Sequence, residues 1–240
     1  MSAEVNGMGE FTGQILKKIS PRLRQATSVK SALARLADRS RMEAADLAML
    51  ALDSDAPMQS RLDATTLVAA MQEPDEQGIQ NLLSCEDRTV FIETLKSIRS
   101  FGTEWALRYL ITAAKASQDP ARQAVLAWTL AAYPASAEAE SVLLDLAKND
   151  RPPTVREHAI ESLGEFHSDG VVRVLTRILE EGSAAERFWA LFSLGTQGTL
   201  AAPVAIDGIR SCLEDQTGIP GLGTIAEEAR WALARIQDGG

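Results

Sequence analysis

The chain has 240 residues, 45% of them apolar and 24% charged, with a formal net charge of −9; this is the balance of a soluble, packed protein, and no apolar run approaches the ~18 residues that a bilayer span needs. Aromatics make up only 5%, and good helix formers dominate the apolar part. Two cysteines, Cys85 and Cys212, lie 127 residues apart, which argues against a disulfide framework and for a reducing cytoplasm.

Charge is unevenly spread. Residues 17–41 carry eight basic side chains against the single acid Asp38, a net +7, whereas residues 42–240 hold 16 basic and 30 acidic side chains, a net −14. The two parts are expected to meet partners of opposite sign, or each other.

Residues 1–10 are polar and acidic, with neither the basic start nor the apolar stretch of a signal peptide, and are expected to form a flexible tail. Residues 11–39 follow as a basic helical cap. Phe11, Ile15, Leu16, Ile19 and Leu23 keep helical spacing with Lys17, Lys18 and Arg22 beside them, and Ser20-Pro21 breaks the run. Such a segment can lie on a membrane surface. The favoured reading is that it covers the bare apolar face of the first of a series of repeats.

The remainder, residues 40–240, repeats itself. Val155-Arg-Glu-His-Ala-Ile-Glu-Ser-Leu-Gly164 and Glu186-Arg-Phe-Trp-Ala-Leu-Phe-Ser-Leu-Gly195 share Arg, Ala, Ser, Leu and Gly at a shift of 31. An arginine recurs at Arg61, Arg88, Arg122, Arg156 and Arg187, at spacings of 27, 34, 34 and 31. Three and seven residues after each stand Ala64 and Val68, Phe91 and Leu95, Val125 and Thr129, Ala159 and Leu163, Ala190 and Leu194; all but Thr129 are apolar, the stripe of a helix with one buried face. Asp55, Asp87, Asp119 and Asp150 precede the arginines as expected helix caps, with Pro57, Pro120 and Pro153 at tolerated first-turn positions. Second helices are predicted to start near residues 57, 86, 119, 153, 184 and 224, the last after an insertion of about eleven residues.

A helix ending Leu-x-x-x-Asp followed by a Val-Arg-x-x-Ala-x-x-x-Leu-Gly helix resembles the HEAT repeat, especially the short form found in phycobilin lyases. The resemblance implies an all-α fold: a right-handed α-solenoid of about six HEAT-like helix pairs with an N-terminal helical cap. It also implies an aspartate–arginine ladder joining Asp119 with Arg122 and Asp150 with Arg156, continued by Arg187. In the fifth unit Glu181 stands for the aspartate, and the last helix keeps Trp231-Ala-Leu, matching Trp189-Ala-Leu, without the arginine.

No catalytic, cofactor-binding or metal-binding constellation is expected. His158 could meet Glu161 or His167, but deoxyhypusine hydroxylase, a HEAT-repeat enzyme, uses His-Glu pairs and this chain has no His-Glu dipeptide. Cys85 and Cys212 are read as small core residues. The stretch Thr217-Gly-Ile-Pro-Gly-Leu-Gly-Thr224 lacks the lysine of a phosphate loop and is read as a long connection that could contact a partner. Trp105, Trp128, Trp189 and Trp231 are read as packing between repeats.

The outward positions are placed one and five residues after each arginine. They give Phe188 and Phe192 as an apolar anchor beside Glu157, Glu161 and Glu93, with Arg230 on the last helix completing the expected partner-binding set. The function expected is a non-catalytic protein-binding scaffold, adaptor or immunity-type antidote, using an acidic concave surface to bind a protein with a basic surface. The alternatives are a phycobilin-lyase-like subunit and a HEAT-like DNA-repair protein; the acidic balance disfavours nucleic acid.

Overall fold

The computed structural model describes residues 15, 17–36, 46–72 and 76–237. The tail expected over residues 1–10, the cap residues Phe11 and Leu16, and the cap boundary at 39–40 lie outside the described residues. A 3-10 turn at Pro21–Leu23 leads into α1 (Thr27–Leu36). Among the described residues six helix pairs follow: α2 (Asp46–Leu52) with α3 (Met58–Ala70), α4 (Glu76–Ser84) with α5 (Arg88–Phe101), α6 (Ala106–Ala116) with α7 (Pro120–Leu130), α8 (Ala137–Leu146) with α9 (Pro153–Leu163), α10 (Asp169–Glu181) with α11 (Ala184–Gln197), and α12 (Ala202–Ser211) with α13 (Ile225–Gln237). Each second helix starts within two residues of its predicted position.

The starts are fixed by short polar side chains that satisfy the otherwise orphaned first-turn amides. Asp87 accepts from the amides of Thr89 and Val90, Asp119 from Ala121, and Ser136 and Ser168 from Ala139 and Val171. Three expected caps are corrected. Neither Asp55 nor Asp150 caps a helix: α3 and α9 begin after Pro57 and Pro152, whose fixed φ sets the first turn without a side-chain bond. Glu181 ends α10, and the role expected of it passes to a capping box in which Ser183 and Glu186 bond each other's amides.

The chain divides into two compact units, the first ending at Ala113 and the second beginning at Ala114. In the first, α3 packs against α1, α2 and α5. Ile15 and Ile19 are fully buried, and the backbone at Ile19 pairs with Met71: Ser20 N donates to Ala70 O at 3.0 Å and Gln72 N to Lys18 O at 2.9 Å. Trp105 Nε1 donates to Met71 O at 2.8 Å, and Arg22 Nη2 donates to the carbonyls of Phe101 and Gly102, where α5 ends. Ile15 and Ile19 are thus spent on the first unit, and Arg22 compensates a helix C-terminus.

In the second unit the second helices pack in chain order, α7 on α9, α9 on α11 and α11 on α13, the contact pattern of a helical-repeat solenoid. This stacking explains the recurring Ser-Leu-Gly. A Cβ at Gly164 would sit 3.0 Å from Ser193 Cα, and one at Gly195 would sit 2.4 Å from Trp231 Cζ3 and 3.0 Å from Ala232 Cα. Glycine lets α9 and α11 each accept the following second helix at close range. Ser193 Oγ then donates to Ile160 O at 2.8 Å, and Gln197 Nε2 reaches the carbonyls of Leu163 and Phe166, so neighbouring repeats are joined by polar as well as apolar contacts. The residues inserted before α13 form a small antiparallel hairpin, β1 (Gly218–Ile219) with β2 (Gly223–Thr224).

Gly195→Ala should lower stability by roughly 1–3 kcal/mol in urea unfolding, the usual cost of overpacking, although alanine is the better helix former. Unchanged stability would mean that Trp231 is free to move off the helix.

Candidate functional site

Three arginines of the second helices reach forward to the next repeat. Arg61 Nη1 lies 2.8 Å from Asp87 Oδ2, Arg156 Nη2 lies 2.7 Å from Glu186 Oε1, and Arg187 Nη2 lies 2.7 Å from Asp215 Oδ2. The expected pairing of Asp150 with Arg156 is corrected: Asp150 is exposed and only 4.0 Å from Arg151, while Arg156 holds Glu186 and Asn149 Oδ1. Stacking brings Glu186, at the start of the following second helix, to the guanidinium, and from the preceding loop Asn149 rather than Asp150 meets it. Asp119 lies 3.9 Å from Arg122 Nε, a long contact within one turn. Arg35, bonded through two nitrogens to Asp63 at 2.6 and 2.7 Å, belongs to the same pattern, and the sequence reading missed it. Its separation of 28 residues equals that of Arg187 and Asp215, and that equality was the available signal.

The outward face of the second unit is set by spacings of three residues. Val125 and Trp128 on α7, His158 and Glu161 on α9, and Trp189 and Phe192 on α11 are half-buried, and Trp231 on α13 is exposed. Residues three apart share a helix face, and on α11 and α13 that face forms a row in which Phe192 lies against Trp231, with α9 packed beside α11. Phe188 does not belong to it. It is 5% exposed, turned about one residue's rotation toward the core, so its expected role as an anchor is corrected to packing. Phe192 keeps its place. Its ring stacks on Trp231 with centroids 5.6 Å apart and planes at 7°, and meets Trp189 edge-on at 5.9 Å. The row holds Glu161 with Phe192; Glu157 is half-buried on the same helix as Glu161, and Arg230 is exposed beside Trp231. Glu93, on α5, belongs to the other unit. Sequence reasoning missed Trp189 and Trp231 as surface residues. The signal was His158, which aligns with Trp189 at the shift of 31 and marks that position as outward.

Electrostatically the face is acidic and partly desolvated. Burial pushes the Glu157 carboxyl above its ordinary range, and the charge of Glu186 adds to the shift; burial alone raises Glu228. His158 Nδ1 lies 3.4 Å from Glu161 Oε2. Among the described residues no three His, Cys, Asp or Glu side chains form a group that could hold a metal ion. Cys212 is buried and its thiol is pushed up by that burial, which suppresses the nucleophilic thiolate. The row is an aromatic surface with carboxylates beside it.

A family model described as HEAT repeats matches residues 107–195 and 140–234. Among solved structures, the chain is similar to two crystal structures of engineered proteins. One is 16% identical with a TM-score of 0.46, covering 95% of this chain and 97% of that one; the other is 17% identical with a TM-score of 0.49, covering 95% and 69%. No curated protein matches the sequence.

Two outcomes follow from the site's charges. Arg156→Ala strands Glu186, which is 2% exposed, and should lower stability by roughly 1.5–3 kcal/mol, the range for hydrogen bonds to charged groups; Arg187→Ala, in a more exposed pair, should cost about 1 kcal/mol or less. Equal melting temperatures for the two variants would contradict the ladder. The second outcome concerns pH. An acid whose folded pKa is raised binds more protons folded than unfolded, so it costs stability as pH rises through the carboxylate range. Glu157→Gln should therefore melt higher than the parent at pH 7, with the difference closing below about pH 4.

Proposed function

Since the chain belongs to the HEAT-repeat family, we propose that it is a non-catalytic protein-binding scaffold acting through the second-helix face of its C-terminal unit. The observation that carries this reading is the Phe192–Trp231 stack, with Trp231 38% exposed. Exposing an indole costs apolar hydration, and the close seat on Gly195 holds it in one position, so little side-chain entropy remains to be lost on binding. Tryptophans of this kind dominate the energetics of protein interfaces.

Charge adds the partner's sign. Residues 114–240 carry 11 basic and 18 acidic side chains, and two of those basic residues, Arg156 and Arg187, already sit on carboxylates. The partner in this proposal is a protein with a basic surface, steered by the acidic field. Among the described residues no helix is long and apolar enough to cross a membrane, and two cysteines in 240 residues suit a reducing cytoplasm, which is the location proposed.

The test is affinity capture from cell extract with the parent and with Phe192→Ala/Trp231→Ala. The double variant should keep its helical circular dichroism while losing the captured proteins, a loss of more than about 2 kcal/mol in affinity. Capture of the same proteins by both would sink the proposal.

A further inference from the structure

The row on the second unit is more specific than a general contact surface. The indole of Trp231 lies parallel to the ring of Phe192, and its six-membered edge rests against Gly195. One side of the indole is therefore occupied by the protein, and the exposed 38% of the residue leaves another side open. The rest of the outer side of α13 is small or polar: Glu227, Arg230, Ala234 and Arg235 are exposed. Trp231 is the large apolar side chain that α13 exposes among the described residues.

Carboxylates flank the aromatic surface at both ends. Glu227 and Glu228 lie one turn before Trp231 on α13. At the other end, Ser193 donates to the carbonyl of Glu161 at 3.2 Å, so Phe192, the residue before it, adjoins the helix that bears Glu157 and Glu161. An open indole face attracts cations through its quadrupole, more strongly when desolvated. Planar guanidinium stacks on such a face and pairs with carboxylates at its rim better than a compact ammonium does. Burial already raises the pKa of Glu157 and Glu228; a nearby cation would relieve that cost.

We infer that, within the binding role proposed above, this face takes a basic segment of a partner protein whose arginine stacks on the open side of Trp231 beside Glu227 and Glu228, while a second basic residue meets Glu161 across Phe192. Trp231 and Glu161 stand on helices separated by α11, which at ordinary helix spacing puts them about 16–20 Å apart. An extended chain covers that distance in about five or six residues. The segment is thus one with two basic residues at that separation. Nucleic acid is the wrong chemistry, because its phosphates would face these same carboxylates.

The experiment uses the full chain and a labelled peptide of alanine, serine and glycine carrying two arginines at that separation, with an otherwise identical peptide bearing neutral citrulline. Fluorescence anisotropy should show the arginine peptide binding at least roughly tenfold more tightly than the citrulline one, the scale of a partly desolvated cation–π contact. Trp231→Ala should weaken the arginine peptide by a similar factor, Trp231→Phe should retain most of the affinity, and Glu161→Gln should weaken it and flatten its salt dependence. Equal binding of both peptides, no binding of the arginine peptide, or indifference to Trp231→Ala would overturn the inference. If that happens while capture from extract still depends on Phe192 and Trp231, the scaffold role stands and only the cation recognition falls.

Discussion

A helix pair of this length cannot bury its apolar stripe by itself, and the structure depends on how closely one second helix can lie on the next. Gly164 and Gly195 supply that closeness in the second unit, each at a point where a single Cβ would collide with the following helix. Once the helices are in contact, Ser193 and Gln197 can reach the carbonyls that end the preceding helix, and Leu163 and Leu194 become fully buried. Apolar burial supplies most of the driving force. The glycines decide the distance at which it is collected.

The arginines fix register. Arg156 is held by Glu186, whose other oxygen accepts the Ser183 amide in the capping box. One carboxylate therefore starts its own helix and ties it to the preceding one. Arg187 does the same with Asp215, which also accepts the Thr217 amide at the base of the hairpin. A buried pair of this kind is weak evidence for net stability, because desolvation offsets much of the attraction. Its geometry nonetheless favours one sliding position of the helices, since a shift by one turn would part the buried Glu186 from Arg156 and leave it only the Ser183 amide.

The row through Phe192 to Trp231 differs in chemistry from His158 and Glu161 on the preceding helix, while the Ala, Ser, Leu and Gly beneath it repeat. Phe192 and Trp231 are supported from below by the constraint that builds the stack, the missing Cβ at Gly195. Rigid aromatic surface on a repeat scaffold is thus a by-product of close packing, available for recognition without further ordering.

The sequence by itself determined the helix pairs, their starts and the acid–base character of the repeat, because those depend on neighbours within one or two turns: caps, prolines and apolar spacing. It placed Pro120 and Pro153 at helix starts and separated Glu157 and Glu161 from the buried stripe. Tertiary structure alone decided which carboxylate each arginine holds, since Glu186 and Asp150 are equally acidic in sequence and only stacking brings one of them to Arg156. It also decided which aromatics face outward. Phe188 and Trp189 are adjacent and similar in size, and one residue's rotation on the helix, fixed by how α11 rests on α9 and α13, buries the first and leaves the second half-exposed.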